Sequence, residues 1–271
     1  MKPNRCKTKY PIVLIHGAGF RDLKWPVYWG RIPNVLTENG AVVCYGLQDC
    51  WGSIETNAEA VAERIDAILA ETGAEKVNLI AHSKGGLDAR LAIAKYGAAS
   101  TVASLTTIGT PHRGSETFTL LLRAPHKLYR LAAFAVDNWI RLIGDRRPDF
   151  YEVCMSFSTD YKERFNAETP DMPGVFYQSV GARMHHPFSD INLSTANFVV
   201  NRIEGANDGL VSLASAKWGE RFTIWERSGF SGISHLDEID LRRRPLGRGA
   251  NAFDVCEQYA KIAAGLKEMG Y

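Results

Sequence analysis

Short apolar runs alternate with longer segments of helical spacing along most of the chain. The short runs are typical of buried strands, and they cover residues 11–15, 41–45, 77–82, 102–108, 175–180 and 222–225. Segments with apolar positions three or four residues apart predict helices, and they cover residues 31–39, 56–72, 84–95 and 252–264. This alternation predicts an α/β fold in which a mostly parallel sheet carries helices on both faces.

The helix that precedes the third strand has clear end signals. Thr56 followed three residues later by Glu59 matches a capping box and predicts a helix that begins there. Gly73 is expected to end this helix, since glycine readily takes the left-handed backbone at a helix C-terminus. Functional side chains are then expected on loops at the carboxyl ends of the strands.

One segment interrupts the alternation, because more than sixty residues separate the strands that end near Gly109 and begin near Val175. Residues 128–143 within it predict a helix that is apolar around most of its circumference. Its apolar side chains near one side are Leu128, Leu131, Ala135 and Leu142, and those elsewhere are Phe134, Val136 and Ile140. The helix belongs either to a fixed cap or to a mobile lid that meets lipid. We favour the mobile lid. The sequence thus predicts a single domain covering residues 1–271, with the lid inserted at about residues 115–172.

The composition is that of a globular protein and gives no sign of a nucleic-acid-binding or membrane-spanning protein. The 271 residues are 45% hydrophobic and 23% charged, as in ordinary globular proteins, and the net charge of +2 gives no argument for nucleic acid. No run approaches the ~20 apolar residues of a membrane span. Without an apolar leader the chain is expected to be cytoplasmic, or secreted if a leader was removed. The five cysteines lack metal-site spacing and are interpreted as reduced, with a Cys44–Cys50 disulfide left open.

The strongest candidate for chemistry is Ser83, which follows an apolar run and precedes two glycines. A serine between a strand and a helix is the layout of a nucleophile elbow, and the tight turn requires small residues such as Ala81 and Gly85. The alternative is an ordinary turn with a serine cap. The backbone N–H of Lys84 is placed to stabilise a developing oxyanion, and the Lys84 side chain is expected to be exposed.

A nucleophilic serine needs a general base and a carboxylate that orients it. His235 is the best candidate for the base, because it lies in a polar loop between the last strand and the last helix. Asp208 precedes a glycine turn and fits the chain order serine, carboxylate, histidine. Asp190 competes with Asp208 for this role, although we interpret it as a turn residue.

Five motifs resemble bacterial triacylglycerol lipases and esterases of the α/β-hydrolase fold. They are VLIHG (13–17), AHSKGG (81–86), TPHRGS (110–115), NDGLV (207–211) and HLDE (235–238), and they span nearly the whole chain. Lysine after the serine is similar to a clostridial-type subgroup. The resemblance implies Ser83 as nucleophile, His235 as base and Asp208 as the third member of a triad. It also implies an oxyanion hole from the backbone N–H groups of Ala18 and Lys84, and a lid after Ser115.

The resemblance also raises the question of calcium, because related lipases hold this ion through an aspartate two residues after the histidine. Asp237 matches that position and Asp190 offers a second carboxylate, but arginines 242–244 replace the oxygen-bearing residues expected nearby. Calcium is therefore disfavoured, no ligands are assigned, and no cofactor is required for the reaction.

Three hypotheses for function follow. The favoured one is a lipase that acts on acylglycerols and makes transient contact with a lipid interface. The second is a carboxylesterase for short soluble esters, and the third is a non-catalytic scaffold that binds lipid or protein.

Overall fold

The computed structural model describes residues 4–22, 27–122, 126–249 and 252–271, with the side chains at 121, 126–132, 135 and 143 outside that description. Six parallel strands form one sheet in the order β2-β1-β3-β4-β5-β6. The strands are β1 (Ile12–Ile15), β2 (Val43–Tyr45), β3 (Val77–His82), β4 (Val102–Ile108), β5 (Phe176–Ala182) and β6 (Arg221–Trp225). The mostly parallel sheet expected from the alternating pattern is confirmed.

Helices occupy both faces of this sheet. In chain order they are α1 (Ile32–Glu38), α2 (Ile54–Thr72), α3 (Lys84–Lys95), α4 (Glu116–Leu121), α5 (His126–Ile143), α6 (Phe150–Met155), α7 (Thr159–Glu168), α8 (Ser194–Glu204), α9 (Leu213–Ala216) and α10 (Val255–Glu268). Side chains alternate across β1, so Ile12 and Leu14 pack with α1 and α10, whereas Val13 and Ile15 pack with α2 and α3. Fully burying one such side chain stabilises the fold by roughly 1.5–3 kcal/mol, so packing on both faces stabilises the central strands of the sheet.

The predicted capping box at Thr56 is wrong, because α2 begins two residues earlier. Ser53 is the N-terminal cap, and its hydroxyl accepts a hydrogen bond from the Thr56 N–H at 3.2 Å. Gly73 ends the helix in the left-handed conformation at φ 68°, as expected. The last helix also runs later than predicted, from Val255 rather than residue 252, because Asp254 caps its first turn.

The long segment between β4 and β5 forms α4 to α7, and α5 contains the predicted apolar helix. Ala133 and Ile140 on α5 are buried, whereas Phe134, Trp139 and Leu142 are 68%, 62% and 86% exposed. The side chains of Leu128, Leu131 and Ala135, which also belong to this prediction, lie outside the described residues. The helix therefore combines buried and strongly exposed apolar side chains, unlike a helix sealed inside a cap.

Cys44 and Cys50 are both free thiols in the structure. Among the described residues, none of the helices has the length and apolar character to cross a membrane.

Candidate active site

Ser83 occupies a sharp turn between β3 and α3, with φ 53° and ψ −130°. Such a backbone conformation costs a non-glycine residue about 1–3 kcal/mol and is held only by its surroundings. The Ser83 N–H donates to the carbonyl of Ile108 at 2.8 Å, and the Thr110 hydroxyl donates to the Ser83 carbonyl at 2.8 Å. The turn is thus fastened to the end of β4, and its geometry is that of a nucleophile elbow.

The small residues around this turn are required by close backbone contacts. A Cβ atom on Gly85 would clash with the His16 carbonyl oxygen and would lie 2.6 Å from that of Ile15. Gly17 is equally constrained, since a Cβ there would lie 2.7 Å from the Ser83 Cβ. The loop after β1, which carries Ala18, therefore runs directly against the turn at Ser83.

His235 and Asp208 form a buried pair. The Nδ1 atom of His235 lies 2.7 Å from Oδ2 of Asp208, and the other Asp208 oxygen accepts the backbone N–H groups of Leu210 and Val211 at 2.9 and 2.7 Å. A carboxylate held in this way is an acceptor, so Nδ1 of His235 carries the proton and Nε2 is left free to accept one. Asp190, the competing candidate, contacts Ser234 and Arg242 instead.

The candidate residues meet at one apolar cavity of about 270 Å³, which Ser83, His235 and Ala18 all line. Its apolar side chains are Phe20, Tyr28, Trp51, Phe118, Phe157, Leu210, Val211, Leu236 and Ile239. The N–H of Lys84 is the first of α3, so no carbonyl of its own helix is available to it. In the described part of the chain, the Ser83 hydroxyl makes no hydrogen bond to His235 within 3.5 Å; such contacts often tighten only with substrate.

Comparisons with known proteins identify the family. A triacylglycerol lipase from Vibrio cholerae serotype O1 is 40% identical, with 86% of this chain and 80% of the relative covered. A triacylglycerol lipase from Pseudarthrobacter phenanthrenivorans is 31% identical, covering 91% of this chain and 93% of the relative. The chain belongs to the triacylglycerol lipase family. The chain also matches the family model for palmitoyl protein thioesterase over residues 11–150.

Solved structures agree on the fold of this chain. A lipase from Bacillus licheniformis in mature form aligns with a TM-score of 0.65 at 22% identity, covering 89% of each chain. A metagenomic carboxyl esterase aligns with a TM-score of 0.71 at 18% identity, covering 97% of this chain and 76% of that one. The α/β-hydrolase fold expected from the motifs is confirmed, and the protein is a serine hydrolase that acts on carboxylic esters.

The prediction that the Lys84 side chain is exposed is wrong. Only 1% of it is accessible, and its ammonium group lies 2.8 and 2.9 Å from the two Asp88 oxygens. Asn57 of α2 donates a further hydrogen bond to Asp88 at 3.0 Å. Burial raises the pKa of Asp88, and the Lys84 charge opposes that shift. The error arose because α2 packs over the start of α3, which periodicity within α3 does not reveal.

A chain of buried hydrogen bonds beside the cavity was missed from sequence. The Gly17 N–H donates to the Tyr28 hydroxyl at 2.9 Å, and that hydroxyl lies 2.7 Å from Nδ1 of His82. The Nε2 atom of His82 lies 2.9 Å from Oε2 of Glu238, which is 3.5 Å from Nδ1 of His235. The three-residue spacing between His235 and Glu238 could have indicated that Glu238 lies near the proposed base. No feature of the sequence around Tyr28 indicates that its hydroxyl belongs to this chain of hydrogen bonds.

Two groups of metal-ligating side chains lie around His235 in the described part of the chain. Ligand atoms of His82, His235 and Glu238 lie within 4.8 Å of one another, but they are engaged in the hydrogen bonds just described. The carboxylates of Asp190 and Asp237 converge at the position expected for calcium, and the guanidinium of Arg242 contacts both of them. A donor set that already holds a guanidinium does not fit a calcium ion, which takes six to eight oxygen ligands.

Proposed function

We propose that this protein is a lipase that cleaves acylglycerols through a Ser83–His235–Asp208 triad. The observation that carries the proposal is the buried 2.7 Å contact between His235 and Asp208 beside the same apolar cavity as the strained Ser83. A nucleophile, a correctly protonated base and an orienting carboxylate are the parts that acyl transfer requires.

In the proposed reaction, Nε2 of His235 takes the Ser83 proton as the hydroxyl oxygen attacks the ester carbonyl. The backbone N–H groups of Ala18 and Lys84 stabilise the oxyanion, and one such donor typically contributes about 3 kcal/mol to lowering the barrier. Asp208 holds the imidazole orientation and stabilises its charged form. The protonated His235 then gives its proton to the departing alcohol, and water hydrolyses the acyl-enzyme by the reverse sequence of proton transfers.

Exposed apolar side chains support a water-insoluble substrate. Leu210 lines the cavity and is 38% exposed, and it follows α8, where Phe198 and Ile203 are also exposed. Trp139 and Leu142 on α5 present a further apolar surface. In the proposal, residues 115–172 act as a lid whose exposed α5 side chains contact the lipid interface, where burial of apolar area favours binding.

A second candidate substrate is a long-chain acyl thioester. The match of residues 11–150 to the palmitoyl protein thioesterase model supports it, and those residues include both Ser83 and the loop with Ala18. The same acyl-enzyme chemistry applies, with a thiol instead of an alcohol as the leaving group.

The test begins with labelling by a fluorophosphonate probe. Wild type is expected to label, as is Ser100→Ala, which changes an exposed serine, whereas Ser83→Ala is expected to remain unlabelled. A folded wild type that does not label, even with detergent or an oil interface, would contradict the triad and favour the binding-scaffold hypothesis.

Substrate class is then decided by initial rates on p-nitrophenyl esters of increasing chain length, triacylglycerol emulsions and palmitoyl-CoA. A lipase is expected to favour long chains and to gain rate once the substrate exceeds its solubility. Hydrolysis restricted to short soluble esters would identify an esterase with a fixed cap. A preference for palmitoyl-CoA over the emulsion would identify a thioesterase.

A further inference from the structure

Two buried carboxylates meet at one arginine next to the His235 loop. Asp190 and Asp237 are each only 4% exposed. The Arg242 side chain donates from Nη2 to Asp190 at 3.1 Å, and its Nε forms an ion pair with Oδ1 of Asp237 at 3.0 Å. The same Nη2 also donates to the Ser189 carbonyl at 3.3 Å, so one guanidinium joins three oxygen atoms from two segments of the chain.

The residue immediately before His235 is part of this cluster. The Ser234 hydroxyl lies 2.8 Å from Oδ2 of Asp190 and 3.0 Å from Oδ2 of Asp237. The Ser234 N–H also donates to Oδ2 of Asp237 at 3.1 Å. Because Asp190 precedes α8 and Asp237 follows His235, the cluster fastens the histidine loop to a segment more than forty residues away in sequence.

Without Arg242 this arrangement would be electrostatically unfavourable. Burial raises the pKa of Asp237, and the charge of Asp190 raises it further, whereas Arg242 opposes both effects. Two carboxylates held this close need a compensating cation, because burial weakens the screening that water provides. Arg242 supplies this cation, because its guanidinium forms ion pairs with both Asp190 and Asp237 although 38% of its side chain is exposed.

We propose that Arg242 is a built-in cation that positions His235, and that it makes a divalent cation unnecessary at this site. Removal of the guanidinium exposes two carboxylates, a backbone carbonyl and a hydroxyl, an oxygen set of the kind that Ca²⁺ binds. The stability and activity of Arg242→Ala are therefore expected to depend on Ca²⁺. Arg242 touches no reacting atom and is a positioning residue. The activity measurement below rests on the proposed function of His235 as the general base, whereas the stability measurement does not.

The test compares wild type, Arg242→Ala and Arg244→Ala by thermal unfolding in EDTA, in 5 mM Ca²⁺ and in 5 mM Mg²⁺. Wild type and Arg244→Ala are expected to show the same Tm in all three buffers. Arg242→Ala is expected to lose about 4–8 °C in EDTA and to regain most of it with Ca²⁺. Mg²⁺ is expected to restore little, because it requires near-ideal octahedral geometry.

Activity provides a second readout in the same buffers. Arg242→Ala is expected to lose at least tenfold in kcat in EDTA, with a smaller change in KM, and to recover it with Ca²⁺. A double variant, Arg242→Ala with Asp237→Asn, is expected to show no Ca²⁺ effect on either quantity. If Arg242→Ala does not fold, Arg242→Gln, which keeps part of the side chain and removes the charge, is used instead.

Two results would overturn the proposal. One is a wild type that loses Tm in EDTA. The other is an Arg242 variant whose Tm is either unchanged or lowered without recovery in Ca²⁺. Because Tm does not depend on catalysis, a protein with no esterase activity still gives a decisive result, and failure of the triad is distinguished from failure of the cation role.

Discussion

The Nε2 atom of His82 lies 2.9 Å from Oε2 of Glu238, and both side chains are buried. Burial lowers the pKa of His82 well below its ordinary value, and the nearby His235 lowers it further. Burial also raises the pKa of Glu238 well above its ordinary value, with additional contributions from the charges of Asp208 and Asp237. The carboxyl group of Glu238, beside the proposed base, therefore favours its neutral form more strongly than a carboxyl group in water does.

Glu238→Gln is expected to change how stability depends on pH. A carboxyl group whose pKa is raised by folding stabilises the native state below its unfolded value of 4.5, and that contribution is lost as pH rises towards the folded value. The free energy of unfolding of the variant should therefore rise relative to wild type as pH increases from 4.5, by up to about 1.4 kcal/mol per pH unit. Urea unfolding at several pH values measures this difference. Glu220→Gln, at an exposed position, is the control, and a pH-independent difference for Glu238→Gln would contradict the prediction.

Tyr28→Phe tests the loop that carries Ala18. Loss of the hydroxyl leaves the buried Gly17 N–H and Nδ1 of His82 without their partner, which should cost about 1–3 kcal/mol of stability. Because the loop also loses an anchor, kcat is expected to fall about tenfold with little change in KM. Tyr177→Phe removes a comparable hydrogen bond, from the Met172 N–H, away from the cavity. Equal effects of the two variants on kcat would show that the Tyr28 hydroxyl has no special role.

Gly85→Ala tests the contact between the turn at Ser83 and the end of β1. The added methyl group would meet backbone oxygens of His16 and Ile15, which cannot move without disturbing the sheet. We expect a loss of at least about 3 kcal/mol and loss of activity. Gly265→Ala in α10 is the matched control, since nothing lies within 4 Å of its Cβ position. It should raise stability by about 0.5–1 kcal/mol, and chemical denaturation compares the two.

Lys162 on α7 is fully buried, and its amine has no hydrogen-bond partner among the described residues. Burial lowers its pKa well below the ordinary value of 10.5, and the charges of Arg90 and Lys84 lower it further. Lys162→Met should therefore stabilise the protein at neutral pH by about 1–3 kcal/mol. The difference in the free energy of unfolding between this variant and wild type should grow as pH falls from 10.5. In that range Lys162 of wild type binds a proton in the unfolded state but not in the folded state, where its pKa is lowered.

The control for Lys162→Met is Lys95→Met, which removes an exposed amine that pairs with Glu168 at 2.7 Å. Exposed ion pairs contribute little, so this variant should change stability by less than about 1 kcal/mol. Thermal unfolding from pH 6 to 10 measures both variants. A Lys162→Met protein that is less stable than wild type at pH 7 would indicate that the buried amine has a stabilising role.

The order of strands and helices, and the type of site, were determined by the sequence itself. Apolar runs such as 77–82 and 102–108 are local signals, and each became a strand with its predicted limits. Ser83 between a strand and two glycines is equally local, since the turn conformation selects the residues beside it. The first residue of a helix was predicted less accurately, because Ser53 and Thr56 are both possible N-terminal caps of α2 and lie three residues apart.

Only the tertiary structure decided which distant side chains meet. His82 and Glu238 are 156 residues apart, and Asp190 and Arg242 are 52 residues apart, so no spacing in the sequence predicts either contact. The burial of Lys84 likewise depends on α2, which covers the start of α3 once both helices pack on the sheet. Periodicity records which face of an element is apolar, but the partner of a buried charge is set by how the elements assemble.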